Sequence, residues 1–139
     1  MKPKKLKLIQ WLDTGIIWPK IMFSQGMTYQ EIHKHFTRTK IRDPWLIALE
    51  HNKDIIESPA WCAMRTIVTQ KNKKAVCFFI CIKGYFDFTD YDYCRLAHEV
   101  QHIINYVMPD FCDIIREHEF CAYMHTHIMK QCLNKIRGK

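Results

Sequence analysis

The segment from Thr89 to Pro109 combines local helix signals with two faces of different chemistry, and at its centre lies His98-Glu99-Val100-Gln101-His102. Thr89 offers an N-cap with an acidic residue, Asp92, three positions on, a variant of the capping box that also places carboxylates in a positive first turn. Apolar Leu96, Ala97, Val100, Ile103, Ile104 and Val107 recur at helical spacing and Pro109 closes the run, so the spacing predicts a helix over about 90 to 108. At about 100° per residue the apolar stripe centres near Val100, with His98 and His102 on the other side and Glu99 at the flank. Such a helix must bury one side against other elements, and its histidine pair then faces a cleft.

Two histidines at i and i+4 project from one helix face and can hold Zn²⁺ through imidazole nitrogens. A Glu beside the first His can act as general base on a metal-bound water. The pattern therefore points to metal-assisted hydrolysis. A surface helix with three solvated polar residues is the bland alternative, weighed against a well-capped helix with the face segregation that a ligand pair requires. A structural zinc site would close tetrahedrally with four protein ligands, often thiolates, and no thiol is expected at a helical spacing that joins this face.

Catalytic zinc needs a third protein ligand and an open position. After Pro109 the chain reads as a second long helix from Asp113 to about Ile136, with Gly138 as its stop. Glu117, His118 and Glu119 are three candidates in a row. The apolar stripe of this helix, which includes Ile114, Cys121, Ile128 and Cys132, centres near His118, and Glu117 and Glu119 flank it about equally. Periodicity does not choose among the three. Adjacent positions diverge by about 100°, so Glu117 and Glu119 cannot both reach one metal.

Leu96-Ala97-His98-Glu99-Val100-Gln101-His102, followed by an apolar helix, a short break and Glu119-Phe120-Cys121-Ala122-Tyr123, resembles the short phage-encoded zinc metallopeptidases of the gluzincin type. The resemblance covers about residues 89 to 123. It implies that Glu119, opening an ExxAY element, is the third zinc ligand beside His98 and His102, and that Glu99 is the base. It gives Tyr123, one turn beyond Glu119, a catalytic role in polarising a substrate carbonyl or supporting the ligands. It further implies a phage origin, and hence a host-cytoplasmic setting. The family carries small residues and an acidic residue after the second His, where this chain has Ile103, Ile104 and Asn105. Asn105 could orient a histidine only as a neutral acceptor.

A chain of 139 residues is read as one domain with a modest core. The apolar fraction of 48% argues against disorder, and no apolar run approaches the roughly 20 residues of a membrane span. The basic start, Lys2 to Lys7, has the charge of a signal peptide, yet Asp13 and Trp18-Pro19 interrupt the apolar stretch that follows, so a cytoplasmic protein is expected. Of seven cysteines, an odd number without any CxxC, most read as reduced core thiols. Cys77 and Cys81 are the only close pair and match no zinc-knuckle spacing. The net charge of +7 is dispersed in short clusters, so nucleic-acid binding is expected only as a nonspecific property.

No repeat or Pro/Gly-rich linker divides the chain. Gly15 to Ser24 reads as a strand, and Thr28-Tyr29-Gln30-Glu31 as a capping box opening a helix through Phe36. Asp43-Pro44 reads as an N-cap and first-turn proline leading into one helix from Trp45 to Ile56. Trp61 to Gln70 and Ala75 to Lys83 read as an antiparallel hairpin around Lys71-Asn72-Lys73-Lys74. Its second strand is apolar on both faces, so it should be central or covered by the His98–His102 helix.

The fold class expected is α+β, a minimal zincin-like single domain. A small sheet containing antiparallel pairs would pack against the HExxH helix and a second long C-terminal helix. The function expected is a zinc-dependent peptidase acting on a peptide or protein substrate through a zinc-bound water activated by Glu99. Tyr123, Tyr106, Arg95 and His127 are candidates by helix position to stabilise the oxyanion. The alternative is a catalytically silent zinc-binding module that captures a host or virion partner. A DNA-associated protease would join the motif to the basic charge.

Overall fold

The computed structural model describes residues 5–12, 20–41, 43–107 and 118–139, with side chains from residue 121 onward in the last segment. Among these residues the order is β1 (Leu8–Leu12), β2 (Ile21–Gln25), α1 (Tyr29–Arg38), α2 (Trp45–His51), α3 (Lys53–Glu57), β3 (Cys62–Gln70), β4 (Lys73–Ile82), α4 (Asp90–Val107) and α5 (His118–Ile136). The class is α+β.

The run that is apolar on both faces becomes β4, and it is central, with the strand order β1-β2-β4-β3. The sheet is mixed: β1 pairs β2 and β3 pairs β4 antiparallel, whereas β2 and β4 run parallel. The hairpin turn is tighter than the four residues expected. Lys71 and Asn72 both take positive φ, 48° and 65°, the mirror-image turn whose twist matches that of the flanking strands. β4 therefore begins at Lys73.

Alternation along the strands makes two cores. Phe23, Phe78, Ile80 and Ile82 pack on one face against Leu96, Val100, Ile103 and Ile104 of α4 and Ile128, Cys132 and Ile136 of α5. Met22, Cys77, Phe79 and Cys81 pack on the other against Ile32 and Phe36 of α1, Ala48 and Leu49 of α2 and Ile56 of α3. The sheet is thus covered by helices on both sides.

The α1 capping box is complete. Thr28 Oγ1 accepts the Glu31 amide at 3.1 Å and Glu31 accepts the Thr28 amide at 3.2 Å. The helix expected over Trp45 to Ile56 is instead two, α2 and α3, divided at Asn52. The Asn52 side chain donates to Ala48 O at 2.7 Å and to Thr66 Oγ1 on β3 at 2.6 Å, a tertiary bond that local periodicity does not reveal. Asp43 does not cap α2, and its carboxylate accepts from Gln70 Nε2 at 3.1 Å. β1 is an addition to the elements expected, and the strand expected over 15 to 24 is observed from Ile21, residues 15–19 lying outside those described. The second long helix is observed from His118, and Gly138 ends it at φ 77° with its amide on Lys135 O. No helix among the described residues is long and apolar enough to cross a membrane.

Candidate metal centre

The start of α4 is fixed before its histidines appear. Thr89 Oγ1 accepts the Asp92 amide at 3.1 Å, as an N-cap should. The Asp92 carboxylate does not close a reciprocal box and instead accepts the Asp87 amide at 2.7 Å and Arg95 Nη2 at 2.6 Å. Phe86, Phe88 and Tyr93 pack edge to face with centroids 4.9 to 6.4 Å apart and hold the entry loop. Gln25 secures that loop from the sheet, with its Oε1 accepting the Phe86 amide at 3.0 Å.

With Leu96, Val100 and Ile103 fully buried beneath the helix, His98 and His102 emerge on the opposite side, His98 exposed and His102 half-buried. Their rings stand nearly perpendicular, at 86°, and their Nε2 atoms converge to 3.0 Å. Two nitrogens each ~2.0–2.1 Å from a tetrahedral zinc lie roughly 3.3 Å apart, so the pair needs to open by only a few tenths of an ångström to share an ion. Tyr106 stacks on the far side of His102, its centroid at 6.0 Å and its plane within 17°.

Glu99 takes a different environment from its neighbours. It is 8% exposed, turned from the histidine face toward β3, and its carboxylate accepts a hydrogen bond from the Ala63 backbone. Burial holds this carboxyl above its ordinary value against the opposing pull of His102, His98, the Ala63 bond and Lys83. Among the described residues β3 is an edge strand, paired only with β4. The base candidate therefore lies between the histidine face and a free sheet edge.

A cleft of about 460 Å³ opens beside His98 and Glu99, walled by Ala60, Trp61, Tyr91, Cys94 and Arg95. Arg95 lies over the Trp61 ring at 3.7 Å and the Tyr91 ring at 4.7 Å. Arg95 Nη2 also bonds the Asp92 carboxylate at 2.6 Å, which fixes the guanidinium in the wall of this cleft. Cys94, one turn before His98, shares this cleft and is exposed, which corrects the expectation that no thiol joins the histidine face. Among the described residues no three His, Cys, Asp or Glu side chains group closely enough to hold a metal.

The third-ligand candidates fall at the edge of what is described. Glu117 lies outside the described residues; His118 and Glu119 open α5, and their side chains lie outside them too. α5 is tied to α4 near the site by His125, whose Nε2 meets Ala97 O at 3.1 Å. Tyr123 is 71% exposed. Asn105 accepts from Gln101 Nε2 at 2.9 Å rather than from a histidine. What the sequence did not reveal is the partner of Glu99, because Ala63 carries no chemical signature and acts through its backbone. No family model, curated protein or solved structure matches the chain.

Proposed function

We propose that the chain is a zinc-dependent peptidase in which His98 and His102 are two of the metal ligands, Glu119 is the third, and Glu99 is the general base. The observation that carries this reading is the convergence of His98 Nε2 and His102 Nε2 to 3.0 Å beside a desolvated carboxylate. Two imidazole nitrogens this close either share a proton or share a cation, and their exposed face leaves a way in for substrate. Zinc bound there would supply a Lewis acid and acidify a water.

The chain's own residues supply the rest. Glu99, held by Ala63 and kept basic by burial, takes a proton from water and delivers it to the leaving amine. The free edge of β3 offers backbone groups to an extended peptide by strand addition, which would bring the scissile bond past Glu99. The cleft lined by Trp61 and Tyr91 takes an adjacent side chain. Tyr123, Tyr106, Arg95 and His127 are the candidates for holding the oxyanion.

Metal analysis of protein purified without chelators is expected to give about one zinc per chain, lost in His98→Ala. A proteome-derived peptide library is then expected to be cleaved by the wild type and spared by Glu99→Gln. Zinc without cleavage would make the chain a binding module, and absence of zinc would remove the ligand assignment.

A further inference from the structure

The hairpin that holds Glu99 also brings together two thiols that are distant in sequence. Cys62 opens β3 and Cys81 lies near the end of β4, and the two are direct register partners on the α1–α3 side of the sheet. Cross-strand partners have Cα atoms ~4.5–5.5 Å apart, within the ~4.4–6.8 Å that a disulfide spans. Here the two thiols hydrogen-bond to each other.

The pair is asymmetric. Cys62 is half-buried, whereas Cys81 is 1% exposed. Lys83 Nζ stands 3.9 Å from Cys62 Sγ. That ammonium is itself held by the carbonyls of Ser58 at 2.8 Å, Ala60 at 3.1 Å and Ile55 at 3.3 Å, so it stays beside the sulfur. The bond from Cys81 and the charge of Lys83 hold Cys62 below the ordinary thiol value despite its burial. The same bond and complete burial push Cys81 well above it. Cys77, buried on the same face, is pushed up to about 11 by desolvation.

We propose that Cys62 is a peroxide-reactive thiol resolved by Cys81 as an intramolecular disulfide. The Cys62 thiolate attacks one oxygen of a hydroperoxide; an S–O bond forms, the O–O bond breaks, and the other oxygen leaves as an alcohol or water after taking a proton. Sulfur is oxidised by two electrons and the peroxide is reduced. The Cys81 sulfur then attacks the sulfenic sulfur; the S–S bond forms, the S–O bond breaks, and the oxygen departs as water with the Cys81 proton. The chemistry is independent of zinc, yet it lies one residue from Ala63, whose backbone holds Glu99.

The test treats the reduced full chain with equimolar hydrogen peroxide, quenches with iodoacetamide and maps the peptides without reduction. The expected product is a Cys62–Cys81 linked peptide, an intact mass lower by two hydrogens, and recovery with dithiothreitol. In Cys81→Ser, dimedone is expected to label Cys62, and in Lys83→Met the link is expected to form roughly three- to tenfold more slowly as thiolate is lost. Both thiols remaining alkylated while exposed Cys94 oxidises would overturn the proposal, as would an unchanged rate in Lys83→Met. Should Cys81→Ser not fold, Cys62→Ser at the half-exposed position decides the question. Loss of two hydrogens is expected to vanish there, and its persistence would overturn the assignment.

Discussion

The two sides of the sheet bury polar groups on different terms. On the α1–α3 side Asn52 and Thr66, 7% and 9% exposed, bond to each other at 2.6 Å, and Asn52 also bonds Ala48 O, so neutral groups satisfy neutral groups. On the α4 side the buried groups include two carboxylates. Asp92 pairs with Arg95 at 2.6 Å and accepts the Asp87 amide, whereas Glu99 has a backbone bond and, among the described residues, no ion pair. The Asn52–Thr66 pair is thus satisfied by its own bonds, whereas Glu99 retains accepting capacity.

Five substitutions probe that contrast, from the largest effect to the smallest. Glu99→Gln is expected to keep zinc and lower turnover by about 10² to 10⁴, because an amide cannot accept the proton. Peptide hydrolysis at the wild-type rate would remove Glu99 as the base. On the opposite side, Phe79→Ala removes a fully buried ring packed edge to face on Trp45 at 5.4 Å, and should lower unfolding stability by about 3–5 kcal/mol in urea titrations. The zinc content of the folded variant should not change. Asn52→Ala strips Thr66 of its donor and should lower stability by about 1–3 kcal/mol. A smaller effect would mean that the α2–α3 break is held by packing alone.

The smallest effect expected is at the α1 cap. Thr28→Ala removes the acceptor for the Glu31 amide, which should lower stability by about 1 kcal/mol. Glu31 adds a pH dependence, since the Thr28 amide first and Lys7 second hold its carboxyl below the ordinary value. A carboxyl lowered on folding contributes stability above its unfolded pKa and loses it as pH falls through the folded one. The gap in urea midpoint between wild type and Glu31→Ala should therefore be present at neutral pH and close on acidification. A gap that widens in acid would show that the cap is not the source.

Elements bounded by their own neighbours were legible in the residues. Thr28 to Glu31, Thr89 to Asp92 and Gly138 mark helix ends through bonds that span a few positions, and all three are found where expected. β4 was legible as central because both of its faces are apolar. The region from Trp45 to Ile56 misled, because an apolar stripe continues across Asn52, whose side chain at the break bonds Thr66 of a distant strand. Cys62 and Cys81 escaped for the same reason, since spacing along the chain drew attention to Cys77 and Cys81 instead.

The sequence by itself determined a capped helix with His98 and His102 on one face and Val100 on the other. Helix geometry is local, and an i, i+4 pair shares one face wherever that helix is placed. Only the tertiary structure decided that Glu99 turns from the histidines to the Ala63 backbone, that β3 is the free edge beside it, and that β2 lies parallel to β4. Those outcomes depend on which strands pair and which backbone groups remain unpaired, and that follows from the joint packing of both cores rather than from any short run of residues.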